Sequence, residues 1–276
     1  MRDLQAAIDR SAFRDHDAQW SISVVDLDTG ASLAEVDPDA RLSTASVGKL
    51  LALIELAARV GTGEARLDTM VARSEADRVA DSGLWQHLAI DELPLADVAL
   101  LVGAVSDNLA TNVLLGYLGL ESVQRRAGLL GLEAVQLHDR VRDERTAGDP
   151  PRLSSGSGRE LAGLMRTLRS EDGPGLVLRW LRPGTDLSMV ASAFGLDPLA
   201  HVLEDRGVRV INKTGTNRGV RADVGIVEGT GRGVAYAVLV NWTEPPTPDD
   251  RSRDLVLDAM REIGSALREG LGQAPT

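Results

Sequence analysis

The chain has 276 residues, 43% of them hydrophobic and 26% charged, which supports a sizeable core in one large domain or two packed lobes. A formal net charge of −11 works against nucleic acid or an anionic membrane surface as a partner. With no cysteine, the chain has no disulfide, thiol nucleophile or zinc–thiolate site.

Leu4, Ile8 and Ala12 recur at helical spacing and predict a helix over residues 3–13. The start, Met1-Arg2-Asp3-Leu4-Gln5, lacks the basic end and apolar run of an export signal, and no stretch is long enough to cross a membrane. The expected location is the cytoplasm, or outside it if a signal has been trimmed. Residues 20–27 carry Ile22, Val24 and Val25 and read as a strand. Asp28-Thr29-Gly30 turns it into a second strand over 31–36, which Asp37-Pro38-Asp39 stops. From 43 to 60 the pattern is helical and strongly apolar. A second apolar helical region, 96–118, is broken by the polar triplet Ser106-Asp107-Asn108. Residues 139–159 have no periodicity and read as a long loop of the kind that often carries function. Helical patterns return at 159–168, 176–181 and 187–193, and strands at 208–213, 223–227 and 234–240. The glycine-rich run 229–233 lacks the strand–loop–helix setting of a phosphate loop and reads as a hairpin turn. An amphipathic helix over 250–268 closes the pattern.

Strands near both ends must pair across the helical middle to avoid open edges. The expected fold is therefore α/β (α+β): a five-stranded, mostly antiparallel sheet flanked by the terminal helices, with an inserted all-α lobe. Residues 1–40 and 205–276 would form the discontinuous α/β lobe and 41–204 the helical one, with a site between them.

Three short elements carry chemistry. In Ser46-Val47-Gly48-Lys49 the spacing of three puts Ser46 and Lys49 one turn apart on one helix face. A lysine whose pKa is depressed by desolvation or nearby cations can take the proton of such a serine. Taken alone, the same residues also describe a helix cap and a solvated lysine. Ser106-Asp107-Asn108 interrupts an apolar region, where polar groups need partners, although these residues also suit a turn between helices. Lys213-Thr214-Gly215-Thr216 follows an apolar strand. There a lysine offers a cation to a substrate carboxylate and a glycine admits a ligand closely, or the run is simply a strand end with a bulge.

The ordered set Ser-x-x-Lys, Ser-Asp-Asn and Lys-Thr-Gly resembles class A β-lactamases and penicillin-binding proteins. The flank Val105-Ser106-Asp107-Asn108-Leu109-Ala110-Thr111-Asn112 and the distances between the motifs are similar to that family over nearly the whole chain. The resemblance implies Ser46 as nucleophile, Lys49 as its proton-handling partner and Ser106 as proton shuttle to the leaving nitrogen. It implies Asn108, Lys213, Thr214, Gly215 and Thr216 as substrate-binding residues, with the backbone N–H groups of Ser46 and Thr216 as an oxyanion hole. Arg221, expected on the neighbouring strand, would help bind a carboxylate, with Arg218 as its competitor. The implied activity is β-lactam hydrolysis through an acyl-enzyme. A D-alanyl-D-alanine carboxypeptidase, an esterase or a non-turnover penicillin-binding sensor is the alternative. A small-molecule β-lactam or a D-amino-acid peptide or ester is the expected partner of a monomer that uses no cofactor and no metal.

The family pattern breaks in the long loop. Anchored on Asp139-Arg140, the place of the deacylating glutamate falls on Arg142, which cannot act as a base. Asp143 or Glu144 could substitute if the loop is threaded differently. Deacylation is therefore the step expected to suffer, and acylation is not. Asp81-Ser82-Gly83-Leu84-Trp85, Gly219-Val220-Arg221 and Asp223-Val224-Gly225-Ile226-Val227 also resemble a less-studied group of class A-like serine hydrolases. Trp85 is either a cleft wall or core. His16, His87, His138 and His201 are scattered without ligand spacing.

Overall fold

A computed structural model describes residues 2–10, 18–170, 175–204, 207–243 and 250–271. In chain order the elements are α1 (Arg2–Arg10), β1 (Ala18–Asp26), β2 (Ser32–Val36), β3 (Leu42–Ser43), a 3₁₀ turn (Ala45–Gly48), α2 (Lys49–Thr62) and β4 (Met70–Ala72). Then come β5 (Glu92–Pro94), α3 (Leu95–Ala104), α4 (Asn108–Leu118), α5 (Leu120–Leu129), β6 (Gln136–Leu137) and β7 (Ser154–Gly156). The remainder is α6 (Gly158–Ser170), α7 (Gly175–Leu181), a 3₁₀ turn (Val190–Phe194), β8 (Val208–Asn217), β9 (Val220–Gly229), β10 (Gly233–Trp242) and α8 (Asp250–Leu271).

Five strands form one sheet in the order β2-β1-β10-β9-β8, and every pairing in it is antiparallel. β10 lies at the centre and is buried along both faces, which is why its sequence runs apolar instead of alternating. Val234, Tyr236, Val238 and Val240 turn toward a core shared with α1, α8 and the 3₁₀ turn at 190–194. Ala235, Ala237 and Leu239 turn toward the larger core that α2 to α7 complete. The small residues on that face let α6 lie across β1, β9 and β10. A Cβ on Gly158, at the start of α6, would come within 2.9 Å of the Ile22 backbone. On the opposite face α8 presents Val256, Ala259, Met260, Ile263 and Leu267, the i, i+3, i+4 stripe of an amphipathic helix.

The structure alters several expected elements. Helix α1 covers the described part of the first pattern, and Ala12 and His16 lie outside the described residues. The helix expected from 43 begins as the 3₁₀ turn and becomes α-helical only at Lys49. The loop expected over 139–159 ends in β7, which pairs with β3 and β6. The stretch 187–193 forms a 3₁₀ turn closed by Gly195 at φ 64°. Helix α5 carried no apolar signal because only Val123 and Ala127 on it are buried. Residues 229–233 do close a hairpin, with Gly229 N–H donating to Arg232 O at 2.9 Å.

The contact of α8 with the 190–194 turn depends on a bare backbone. A Cβ on Gly264 would stand 2.2 Å from Val190 O, whereas one on Gly163, exposed in α6, would meet nothing within 4 Å. Gly264→Ala is expected to lower the unfolding free energy by about 1–3 kcal/mol through overpacking. Gly163→Ala is expected to raise it by about 0.5–1 kcal/mol. Urea denaturation of the two variants checks the pair, and equal effects would contradict the packing described.

Candidate active site

The turn that carries Ser46 is fixed from three sides. Ala45 is held at φ 46°, a left-handed conformation that costs a non-glycine residue energy and is concentrated at functional sites. Ser154 Oγ on β7 donates to Ala45 O at 2.6 Å and shares a 2.7 Å hydrogen bond with Thr44 Oγ1. A Cβ on Gly48 would collide with Ser154 Cβ at 2.3 Å, and one on Gly215 would stand 2.1 Å from Thr44 O and 3.2 Å from Ser46 N. Strand β8 therefore runs hard against the Ser46 backbone, and only glycine at 215 permits it. Ser46 itself is half-buried, and the 3₁₀ geometry stacks it on Lys49, three residues on.

Lys49 is fully buried at the head of α2. Its Nζ donates to Ser106 O at 2.6 Å, to Asn108 Oδ1 at 2.7 Å and to Ser106 Oγ at 3.3 Å. Burial, followed by the charge of Lys213, pushes its pKa well below the usual lysine value, against opposition from Asp107 and Asp81. Lys213, 3% exposed on β8, donates to the same Ser106 Oγ at 2.9 Å and to Thr214 O at 2.9 Å. Burial lowers its pKa to about 8, with Asp186 and Asp223 acting in the other direction. Ser106 thus sits between two lysine amino groups, and it too is held at a left-handed φ of 56°. Lys49 and Lys213 are the only lysines in the chain; every other cationic side chain beyond histidine is an arginine.

Asp107 explains the rest of the polar triplet. It caps α4 by accepting from Ala110 N at 2.8 Å and accepts from Leu84 N and Trp85 N at 2.7 and 2.8 Å. Gly83, at φ 132°, passes so close that a Cβ would lie 2.4 Å from Asp107 Cγ. Asn108 N–H donates to Ser82 O at 2.9 Å, and its Nδ2 donates one hydrogen to Ala80 O at 3.1 Å. The 80–85 segment is thereby tied to the site wall. Trp85 is fully buried with Nε1 on Ile90 O, so it is core and not a cleft wall.

A cavity of about 220 Å³ opens at Ser106, lined also by Ser82, Thr185, Asp186, Asn212, Lys213 and Thr214 together with residues 103–105 and Gly184. Asp186 was not singled out in the sequence. Its carboxylate accepts from Thr214 Oγ1 at 2.6 Å and from Ser188 Oγ at 2.6 Å. Burial raises its pKa, but bonds from Ser188 and Thr214 outweigh this and leave it below the usual carboxylate value. Behind it, Asn212 Nδ2 joins Asp186 O to the fully buried Asp223, which also accepts from Tyr236 OH at 3.0 Å. Burial raises the Asp223 carboxyl to about 6.

Arg221 lies on β9 directly opposite Thr216. Its Nη1 donates to Asn217 O and Val220 O, and the guanidinium lies 5.7 Å from the centroid of the Trp242 ring. Arg218 is exposed in the turn between β8 and β9. Thr216 is exposed where β8 leaves the Ser46 turn. In the long loop, Arg142 is held by Asp139 at 2.8 Å and Asp149 at 3.2 Å. Asp143 is exposed and accepts from Ala80 N at 2.8 Å, and Glu144 is exposed.

The chain matches the model of the Beta-lactamase enzyme family over residues 2–271. A comparison with curated proteins returned no match. Among solved structures it is similar to a β-lactamase from Sphaerobacter thermophilus, with 23% identity and a TM-score of 0.81 over 100% of this chain and 99% of that one. It is similar to an ancestral (GNCA) class A β-lactamase, with 24% identity and a TM-score of 0.77 over 98% of both chains. It is also similar to a variant of PBP-A in an acyl-enzyme complex with penicillin G, with 23% identity and a TM-score of 0.78 over 98% of this chain and 97% of that one. These likenesses establish the fold, the one shared by β-lactamase-type serine enzymes.

Replacing Asp107 by alanine removes the α4 cap and strips two loop amides of their acceptor. The expected cost is about 2–4 kcal/mol of unfolding free energy. Asp107→Asn, which keeps an acceptor oxygen, is expected to cost less. Denaturant titration of both variants measures the difference, and a neutral Asp107→Ala would contradict the assigned role.

Proposed function

The chain belongs to the β-lactamase enzyme family, and on that premise we propose that it is a serine hydrolase that forms an acyl-enzyme on Ser46, with β-lactam amides as the leading substrate class. The observation that carries this reading is Lys49. It is a buried lysine with a depressed pKa, one turn from Ser46 and hydrogen-bonded to Ser106. A lysine whose ammonium form is disfavoured by burial and by a neighbouring cation is a competent general base.

In this reading neutral Lys49 takes the Ser46 proton as Oγ bonds to the carbonyl carbon. The N–H groups of Ser46 and Thr216 stabilise the oxyanion, which the approach of β8 at Gly215 favours. The carbon–nitrogen bond then breaks as Ser106 gives its proton to the leaving nitrogen and recovers one from Lys49. Lys213 keeps the Ser106 hydroxyl oriented from the other side. Asn108, whose second amide hydrogen remains after the bond to Ala80 O, is a donor for the acyl side chain.

Release of the acyl group is the weak step. The loop position expected to hold a glutamate carries Arg142, bound to Asp139 and Asp149. Asp143 and Glu144 are exposed, and Asp143 accepts from Ala80 N at 2.8 Å. Loss of a positioned base slows a step by roughly 10²–10⁴-fold. Stalling at the acyl stage would make the protein a penicillin-binding or sensing protein, or an esterase on more labile substrates.

Intact-protein mass after mixing with penicillin G checks this directly. The expected result is a stoichiometric adduct that clears slowly, and none with Ser46→Ala. Rapid clearance at the turnover of an efficient lactamase would contradict the slow step, and absence of an adduct would contradict β-lactams as ligands. The pH dependence has a fixed sign. Acylation needs Lys49 neutral, so its rate rises with pH through the depressed Lys49 pKa. It needs Lys213 protonated, so it falls as pH passes about 8. A stopped-flow profile of acylation that keeps rising to pH 10 would contradict the role given to Lys213.

A further inference from the structure

Lys213 and Thr214 are the pair expected to receive a substrate carboxylate, yet a carboxylate of the protein already occupies Thr214. Thr214 Oγ1 donates to Asp186 Oδ2 at 2.6 Å. A hydroxyl has one hydrogen, so none remains for a substrate oxygen while that bond stands. Asp186 is in turn held by Ser188, whose Oγ and N–H donate to Oδ1 at 2.6 and 3.1 Å. It therefore cannot swing away without losing three bonds. Lys213 spends two of its three donors on Ser106 Oγ and Thr214 O. Its charge faces two acids, Asp186 along the cavity and Asp223 behind it. Arg221, the other cation expected on this side, is engaged with its own hairpin and Trp242 and does not line the cavity.

We propose that Asp186 sets the substrate class of Ser46: the pocket beside the scissile bond selects uncharged or cationic groups and rejects a carboxylate. This rests on the acyl-enzyme reading above and narrows it. A second carboxylate brought against Asp186 in a half-buried cavity meets like charge at short range and is disfavoured unless one of the two is protonated. A neutral ester or amide meets no such penalty, and an ammonium group gains Asp186 as a partner. The preferred substrates are therefore neutral esters and amides, or lactams whose acid is masked, ahead of free penicillins and C-terminal peptides.

Penicillin G and its methyl ester share the same lactam and differ in that charge and one methyl group, which makes them the probe. Acylation rate constants on Ser46, read by intact mass at pH 7, are expected to favour the methyl ester by about tenfold or more in the wild type. Asp186→Asn is expected to shift the ratio toward the free acid by a similar factor. Asp186→Ser, which also removes the charge and keeps an acceptor, serves if the first variant does not fold. The wild-type ratio itself needs no variant. A wild type acylated equally fast or faster by the free acid overturns the proposal, as does a ratio that neither variant moves. If neither penicillin labels Ser46 but p-nitrophenyl acetate does, β-lactams fail as substrates. The charge preference is then decided by p-nitrophenyl butyrate against mono-p-nitrophenyl glutarate. If no acylating agent labels Ser46, the acyl-enzyme reading falls and this proposal falls with it.

Discussion

Lys49 and Lys213 both reach Ser106 Oγ, at 3.3 and 2.9 Å, and both are cut off from solvent. Their nitrogens are thus no more than about 6 Å apart. Two ammonium groups at that distance repel by roughly 3 kcal/mol at an effective dielectric near 20, before any desolvation is counted. The repulsion adds to burial in lowering the Lys49 pKa, and acids face Lys213. Asp186 and Asp223 act on Lys213, while Asp107 and Asp81 act on Lys49. The result is a serine flanked by two buried amines, Lys49 with a pKa pushed well below the usual lysine value and Lys213 with one near 8.

Holding that arrangement strains the backbone. Ala45 and Ser106 both adopt left-handed conformations, each at a cost of about 1–3 kcal/mol. Three contacts are so close that only glycine fits: Gly48 against Ser154, Gly83 against Asp107 and Gly215 against Thr44. These costs persist because the surroundings are over-determined. Ser154 ties the Ser46 turn to β7, Asp107 ties the 80–85 segment to α4, and two apolar cores clamp the sheet from both faces. Strain at the site and rigidity around it are parts of one arrangement.

Much of this was legible in the sequence because it is written in local spacing. Ser46 and Lys49 are three residues apart on one turn, and the strands β8 to β10 announce themselves by apolar runs bounded by turns. The antiparallel five-stranded sheet followed from the need to close edges. Other features depend on long-range contact and leave no local trace. Asp186 is one acid among 41 and reaches Thr214 only through the fold. Ser154 sits in a polar stretch that reads as loop, although it fixes the turn that carries Ser46. Trp85 could be assigned to core or cleft only once its burial was known. Arg142 was legible as a departure, but its restraint by Asp139 and Asp149 was not.

The central claim is that Ser106 lies between two buried lysines that both titrate below the ordinary value, Lys49 through burial and the charge of Lys213. The sequence makes this directly measurable, since Lys49 and Lys213 are its only lysines. Protein labelled with ¹³C at lysine Cε gives two side-chain NMR signals whose shifts report protonation, and Lys213→Met identifies the Lys49 signal. The account predicts one titration near pH 8 for Lys213 and one well below the usual lysine value for Lys49. It also predicts that the Lys49 midpoint moves upward in Lys213→Met, where the neighbouring cation is gone. Two signals that both titrate near the ordinary lysine value of about 10.4 would contradict it.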